Sequence, residues 1–238
     1  PMKFGVLMFP ADYAIDPVTL GRAAEDRGFE SLFFPEHTHI PTNRESPYPG
    51  GGDLPMEYSH TLDPFVAFGA IAATTEKIKL ATGIALIVER DPIMLAKEVA
   101  TLDQLSNGRV MLGIGGGWNR EEMRNHGTDP ASRWLLVRER IEAMQALWTQ
   151  EEAEYHGELV DFGPTWQWPK PVQQPHPPIL VGGNGANTLK RVVRYGDEWM
   201  PIAGRGEALS RIPELQELAA EAGPDPIPVS VFGAPANA

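Results

Sequence analysis

The run Glu36-His37-Thr38-His39 sets three titratable side chains directly after the apolar segment SLFF, residues 31–34. An imidazole exchanges protons near neutral pH, and a neighbouring carboxylate orients or neutralises it. His37 or His39 is therefore a candidate acid/base with Glu36 as its partner, although a lone loop histidine is usually just hydrogen-bonded. The His-x-His spacing also suits a metal, as in amidohydrolase barrels, but such sites draw further His, Lys and Asp ligands from later strand ends. His60, His126, His156 and His176 fall in loops or insertions, so no metal site is expected.

Two glycine-rich turns follow apolar segments. In GIGGGW, residues 113–118, Trp118 stands where a dinucleotide fingerprint needs its third glycine, so that reading fails. Gly115, Gly116 and Gly117 still allow backbone to approach a flat ring; the other reading is a tight strand-to-helix turn. In ILVGGNGANTLKR, residues 179–191, Gly182 and Gly183 precede a helix start whose N–H groups would suit a phosphate. Thr188 would add a hydroxyl, and Arg191 a charge if its face points inward. An ordinary glycine loop is the alternative.

The elements that position these residues repeat one unit. Asp16-Pro17, Asp63-Pro64 and Asp91-Pro92 each read as a helix N-cap followed by proline at the first helical position, while Gly28 and Asn107-Gly108 read as stops. Between the helices lie apolar strands over 3–9, 31–34, 79–87, 110–115, 179–181, 199–202 and 227–232. Runs this apolar are buried on both faces, as in parallel sheets. Later helices are expected over 132–149, 187–195 and 207–222. The alternation is that of an α/β fold, and seven strands without a distinct second domain favour a barrel over an open doubly wound sheet. Residues 1–238 read as a single domain. Two stretches break its rhythm: residues 37–61, Pro- and Gly-rich at a strand end where barrels place active-site loops, read as a lid. Residues 151–178 read as a structural insertion that packs its tryptophans. After Phe232 only GAPANA remains, too little for another strand and helix. The chain is thus expected to be a shortened form of a longer protein, or a barrel open at an edge that a partner covers.

Composition narrows the function. Of 238 residues, 42% are hydrophobic and 22% charged, the balance of a chain with a real core. The absence of cysteine rules out disulfides, thiol nucleophiles and thiolate metal sites. A net charge of −12 disfavours nucleic acid as partner. No apolar run approaches the ~20 residues of a membrane span. The N-terminal apolar run leads straight into helical signals, so it reads as a strand rather than a signal peptide, and a cytoplasmic location is expected.

Beyond these local readings, the chain resembles the luciferase-like oxidoreductases of the bacterial luciferase superfamily, in the branch that uses the deazaflavin coenzyme F420. The likeness is carried by residues 4–9, PEHTHIP after the second strand, IKLATGIALI at the third, DPIMLAKEVATLDQLSNGRVMLGIGGGWNREE at the fourth, and ILVGGNG at the fifth. It implies a (β/α)₈ TIM barrel, here lacking the last strand and helix, and a homodimer. Also implied are a cis peptide at Gly83-Ile84 behind the deazaflavin ring, Trp118 and Asn119 bordering the cofactor, and Gly182 with Gly183 as its phosphate loop. His37 matches a histidine near the hydride-transfer carbon in some members. F420-dependent sugar-phosphate dehydrogenases place a Glu where this chain has Trp118, so a larger apolar wall and a bulkier or less polar substrate are implied. The expected activity is F420-dependent hydride transfer to or from a small organic substrate. The alternatives are a monooxygenase using reduced FMN and dioxygen, or a non-catalytic flavin-binding protein.

Overall fold

The computed structural model describes residues 2–223 and 225–234. In chain order the elements are β1 (Gly5–Leu7), α1 (Pro17–Asp26), β2 (Ser31–Phe34), α2 (Glu57–His60), α3 (Pro64–Ala72), β3 (Lys79–Thr82), β4 (Ala85–Leu86) and α4 (Pro92–Leu105). There follow β5 (Val110–Gly115), α5 (Arg120–Asn125), α6 (Arg133–Thr149), β6 (Ala153–His156), β7 (Asp161–Thr165), β8 (Ile179–Gly182), α7 (Thr188–Tyr195), β9 (Glu198–Met200) and α8 (Ile212–Ala222). The Asp-Pro starts work as the sequence implies: Asp16, Asp63 and Asp91 each cap their helix, accepting from the N–H of Thr19, Val66 and Met94 at 3.0, 2.9 and 2.9 Å.

One parallel sheet runs β1-β2-β3-β5-β8-β9, with β4 also pairing to β5. Period-two alternation divides its side chains. Leu32, Phe34, Leu80, Leu112, Ile114, Ile179, Val181 and Trp199 pack with the helices in the main core. Phe33, Ala81, Met111, Leu180 and Met200 join Ile84 and Phe232 in a separate cluster on the sheet's other face. Helices on one face and a filled interior on the other make this the wall of a barrel, not a doubly wound sheet.

Four expectations change in detail. The strand expected over 79–87 is broken at Gly83-Ile84, whose peptide bond is cis, and residues 87–89 form a short 3-10 helix. The segment 227–232 follows β9 through single bridges, Trp199 to Val229 and Ile202 to Phe232. Pro226 and Pro228 bring no N–H to a ladder there. The insertion forms an antiparallel hairpin, β6-β7, but Trp166 and Trp168 are 75% and 60% exposed rather than packed. Nor is the first strand buried on both faces: Phe4 and Leu7 are exposed, since β1 is an edge of the seven-stranded sheet among the described residues.

Candidate active site

His37 leaves the end of β2 and meets a partner that is not its sequence neighbour. Its Nδ1 lies 2.7 Å from Glu122 Oε2, and Glu122 Oε1 accepts the N–H of Thr38 at 3.0 Å. Both side chains are buried, 6% and 1% exposed. Glu122 sits in the first turn of α5, whose N-cap Asn119 accepts the Glu122 N–H at 3.3 Å. Glu36 was expected to orient His37, and that expectation is corrected. Its carboxylate accepts the N–H of Leu86 and Nε of Arg90, both at 2.7 Å, and thus ties β2 to the turn after β4. Alternation at the strand end sends adjacent side chains to opposite sides. Burial raises the Glu36 carboxyl above its ordinary value, against the pull of Arg90. His39 turns away as well, to Thr38 Oγ1 at 2.9 Å and Asn125 at 2.9 Å.

Aromatic rings wall the His37 imidazole. Tyr58 and Trp118 stand with centroids 5.2 and 5.7 Å from it, and Tyr48 packs edge-on against both. Tyr48 and Tyr58 come from the 37–61 segment, which is fastened to α5 by Glu121. The Glu121 carboxylate accepts from Ser46 N at 2.6 Å and Ser46 Oγ at 2.5 Å. Burial works against its charge, but these bonds prevail and hold it below the usual carboxylate range. Beside Trp118 a groove opens, lined by Arg120, Arg124, Arg133 and Trp134.

The glycines serve close packing more than open access. A Cβ on Gly115 would fall 2.0 Å from Ile84 Cδ1, on Gly182 3.0 Å from Ile84 Cγ2, and on Gly116 3.0 Å from Trp134. Ile84 thus takes the space left by Gly115 and Gly182, and Gly83 makes room for Phe232 at 2.6 Å. Gly117 has φ +69 and Gly183 φ +118, conformations that suit only glycine. The Gly183 N–H is not open to an anion, because it donates to Met200 O at 3.2 Å. An anion there would be met by the turn after it and by Thr188, whose buried hydroxyl faces the turn. Arg191 lies over Trp134, its guanidinium carbon 3.6 Å from the ring centroid.

The profile of a family described as luciferase-like monooxygenase matches residues 2–236. The chain belongs to this family. It is 48% identical over 231 residues to an uncharacterized protein, Rv0953c, of Mycobacterium tuberculosis, covering 95% of this chain and 82% of that one. Monooxygenase RslO1 of Streptomyces bottropensis superposes with a TM-score of 0.79 at 25% identity, over 97% of this chain and 70% of that one. An F420-dependent secondary alcohol dehydrogenase shares the fold, with a TM-score of 0.78 at 24% identity over 96% and 67% of the two chains.

For a family member, the turn after β8 fits a phosphate. A Cβ placed on Gly183 or Gly185 would meet nothing nearer than Thr188 Oγ1 at 3.6 Å, so there is room beside that hydroxyl. Among the described residues no three His, Asp or Glu converge as metal ligands, and no helix is long and apolar enough to cross a membrane. Sequence reasoning missed Glu122, Tyr48 and Tyr58. Asn119-x-x-Glu122 has the form of a capping box, which would send the Glu122 carboxylate back to its own helix start. The structure gives that carboxylate to His37 instead.

Proposed function

We propose that this protein is an oxidoreductase that works with F420 on a small organic substrate, His37 exchanging the proton that accompanies hydride transfer. The observation that carries the reading is the buried His37–Glu122 pair set against Tyr58 and Trp118. Interconverting an alcohol and a carbonyl moves one hydride and one proton, so the site needs a proton-exchanging group beside an apolar wall. An ionised Glu122 only accepts hydrogen bonds, which holds a proton on Nδ1 of neutral His37 and leaves the Nε2 lone pair to act as base. When bound, F420 supplies the carbon that gives or takes the hydride. Ile84 would back its ring, Gly117, Trp118 and Asn119 would border it, and the 183–188 turn with Thr188 would meet its phosphate. Residues 37–61 act as a lid that excludes water from His37, with Tyr48 and Tyr58 on its inner side.

A monooxygenase using reduced FMN is the second reading; the family description and the likeness to RslO1 favour monooxygenation and leave the cofactor open. Titration of the purified protein with F420 and with FMN, each oxidised and reduced and followed by absorbance, separates the two. Tight binding of F420 with weak binding of FMN is the expected result. The reverse order replaces the proposal with the second reading.

A further inference from the structure

The groove beside Trp118, about 460 Å³, has a charge opposite to that of the chain around it. The chain carries a net −12, yet the groove is lined by Arg120, Arg124 and Arg133 against a single acid, Glu45. That acid is already taken, since its carboxylate lies 3.1 Å from Nη1 of Arg124. Arg120 and Arg133 have no carboxylate within salt-bridge reach among the described residues. Screening confines a surface charge to about 8 Å at physiological salt, so these arginines, and not the net charge, decide what the groove attracts.

A further arginine strengthens the field from α7. Arg191 lays its guanidinium on Trp134, the carbon 3.6 Å from the ring centroid, and Arg133 approaches the same ring at 5.8 Å. Two like charges thus share one indole. Burial lowers Arg191 from its ordinary value; Tyr195 opposes this and the neighbouring Arg133 adds to it. A guanidinium stays charged at neutral pH in spite of such a shift, so holding the two together costs energy that a bound anion offsets. Stacking on an indole holds a guanidinium by its face and leaves free the N–H edge that grips a carboxylate with parallel bonds. The side chains of Arg120 and Arg191 donate to no protein acceptor among the described residues, and Arg133 gives one N–H to Gly117 O at 3.3 Å. Donors remain for a ligand.

Trp118 belongs to both places. Its ring stands 5.7 Å from the His37 imidazole and also lines the groove, so a molecule with its charged end among the arginines keeps its body within one side chain of His37. We propose that the substrate is a small organic acid, its carboxylate gripped by Arg120 and Arg133 in this groove while its apolar body runs along Trp118 toward His37. The proposal rests on His37 being the reacting centre and names the class of substrate brought to it.

Benzoate serves as the probe, with benzamide as its neutral isostere, and binding to the cofactor-free protein is followed through the indole N–H shifts of Trp118 and Trp134. Benzoate is expected to saturate both shifts with an affinity about tenfold or more above that of benzamide, the difference a hydrogen-bonded charge makes. Arg120→Gln and Arg133→Gln should each weaken benzoate about fivefold or more. Glu45→Gln removes the acid of the groove and frees Arg124, so it should tighten benzoate about twofold or more, a gain that damaged folding would not give. Repeating the benzoate titration with F420 or FMN bound separates a substrate's acid from the acidic groups of a cofactor. Binding that persists supports the proposal, whereas binding abolished by the cofactor assigns the groove to the cofactor and overturns it. Equal affinities for benzoate and benzamide, or an affinity unchanged in all three variants, overturn it as well. Failure of F420 and FMN to bind would instead overturn the proposed function, and the cofactor-free titrations would still decide whether the groove takes an acid.

Discussion

Replacing Glu122 by Gln changes the polarity of one buried hydrogen bond while keeping the size of the side chain. In the parent, Oε1 takes the Thr38 N–H at 3.0 Å and Oε2 faces His37 Nδ1 at 2.7 Å. The Thr38 N–H can only donate, so the glutamine oxygen must stay on it and the amide NH₂ must face Nδ1. His37 then accepts at Nδ1 and carries its proton on Nε2, the wrong tautomer for a base. Amidating the carboxylate of a hydrolase triad has this consequence and costs about 10⁴ in rate. The expected fall in the saturated rate is about 10²- to 10⁴-fold, or about 3–5 kcal/mol of barrier, with cofactor affinity little changed. Single-turnover absorbance of the bound cofactor measures the rate, and ¹⁵N shifts of the His37 ring report the tautomer. A flipped tautomer with an undiminished rate would refute the base assignment, and an unflipped tautomer would refute the hydrogen-bond argument beneath it.

Removing the positive partner of Glu36 by Arg90→Met strands a carboxylate that is 2% exposed, so unfolding in urea should show a loss of about 3–5 kcal/mol, part of it regained in the double variant with Glu36→Gln. Glu89, an acid whose folded value is raised, contributes stability that is complete at low pH and is lost as pH rises toward about 9. Glu89→Gln lacks that loss, so its melting temperature relative to the parent should climb between about pH 5 and about pH 9, and a flat difference would contradict the buried acid. Thr188→Val keeps the volume of a buried side chain but removes its hydroxyl from the 183–185 turn, and cofactor affinity measured by titration should weaken by about 0.5–1.5 kcal/mol with the melting temperature unchanged. Glu121→Ala frees Ser46, and hydrogen exchange should quicken across residues 40–55 while the central sheet stays protected.

Sequence by itself determined the repeating unit of this protein. Asp-Pro caps, positive-φ stops at Gly28 and Asn107-Gly108, and apolar strand runs are local signals, and each acts within a few residues of where it is read. They were enough for a parallel α/β barrel, and the GIGGGW and VGGNG turns were enough to mark where strands end and backbone is tight. Which side chain faces which was another matter. Glu36 is adjacent to His37 in the chain and Glu122 lies 85 residues away, yet Glu122 holds the imidazole. The pleat of a strand end and the placement of α5 over it decide that exchange, and neither can be read from residue types. The same holds for the glycines, because only the packed sheet shows Ile84 lying across Gly115, where a flat ring was expected to approach the backbone, and across Gly182, where a phosphate was expected. Local conformation is written in local sequence, whereas a buried polar group takes whichever partner the fold brings within hydrogen-bond reach, since leaving it unpaired costs more than any sequence neighbour can offer.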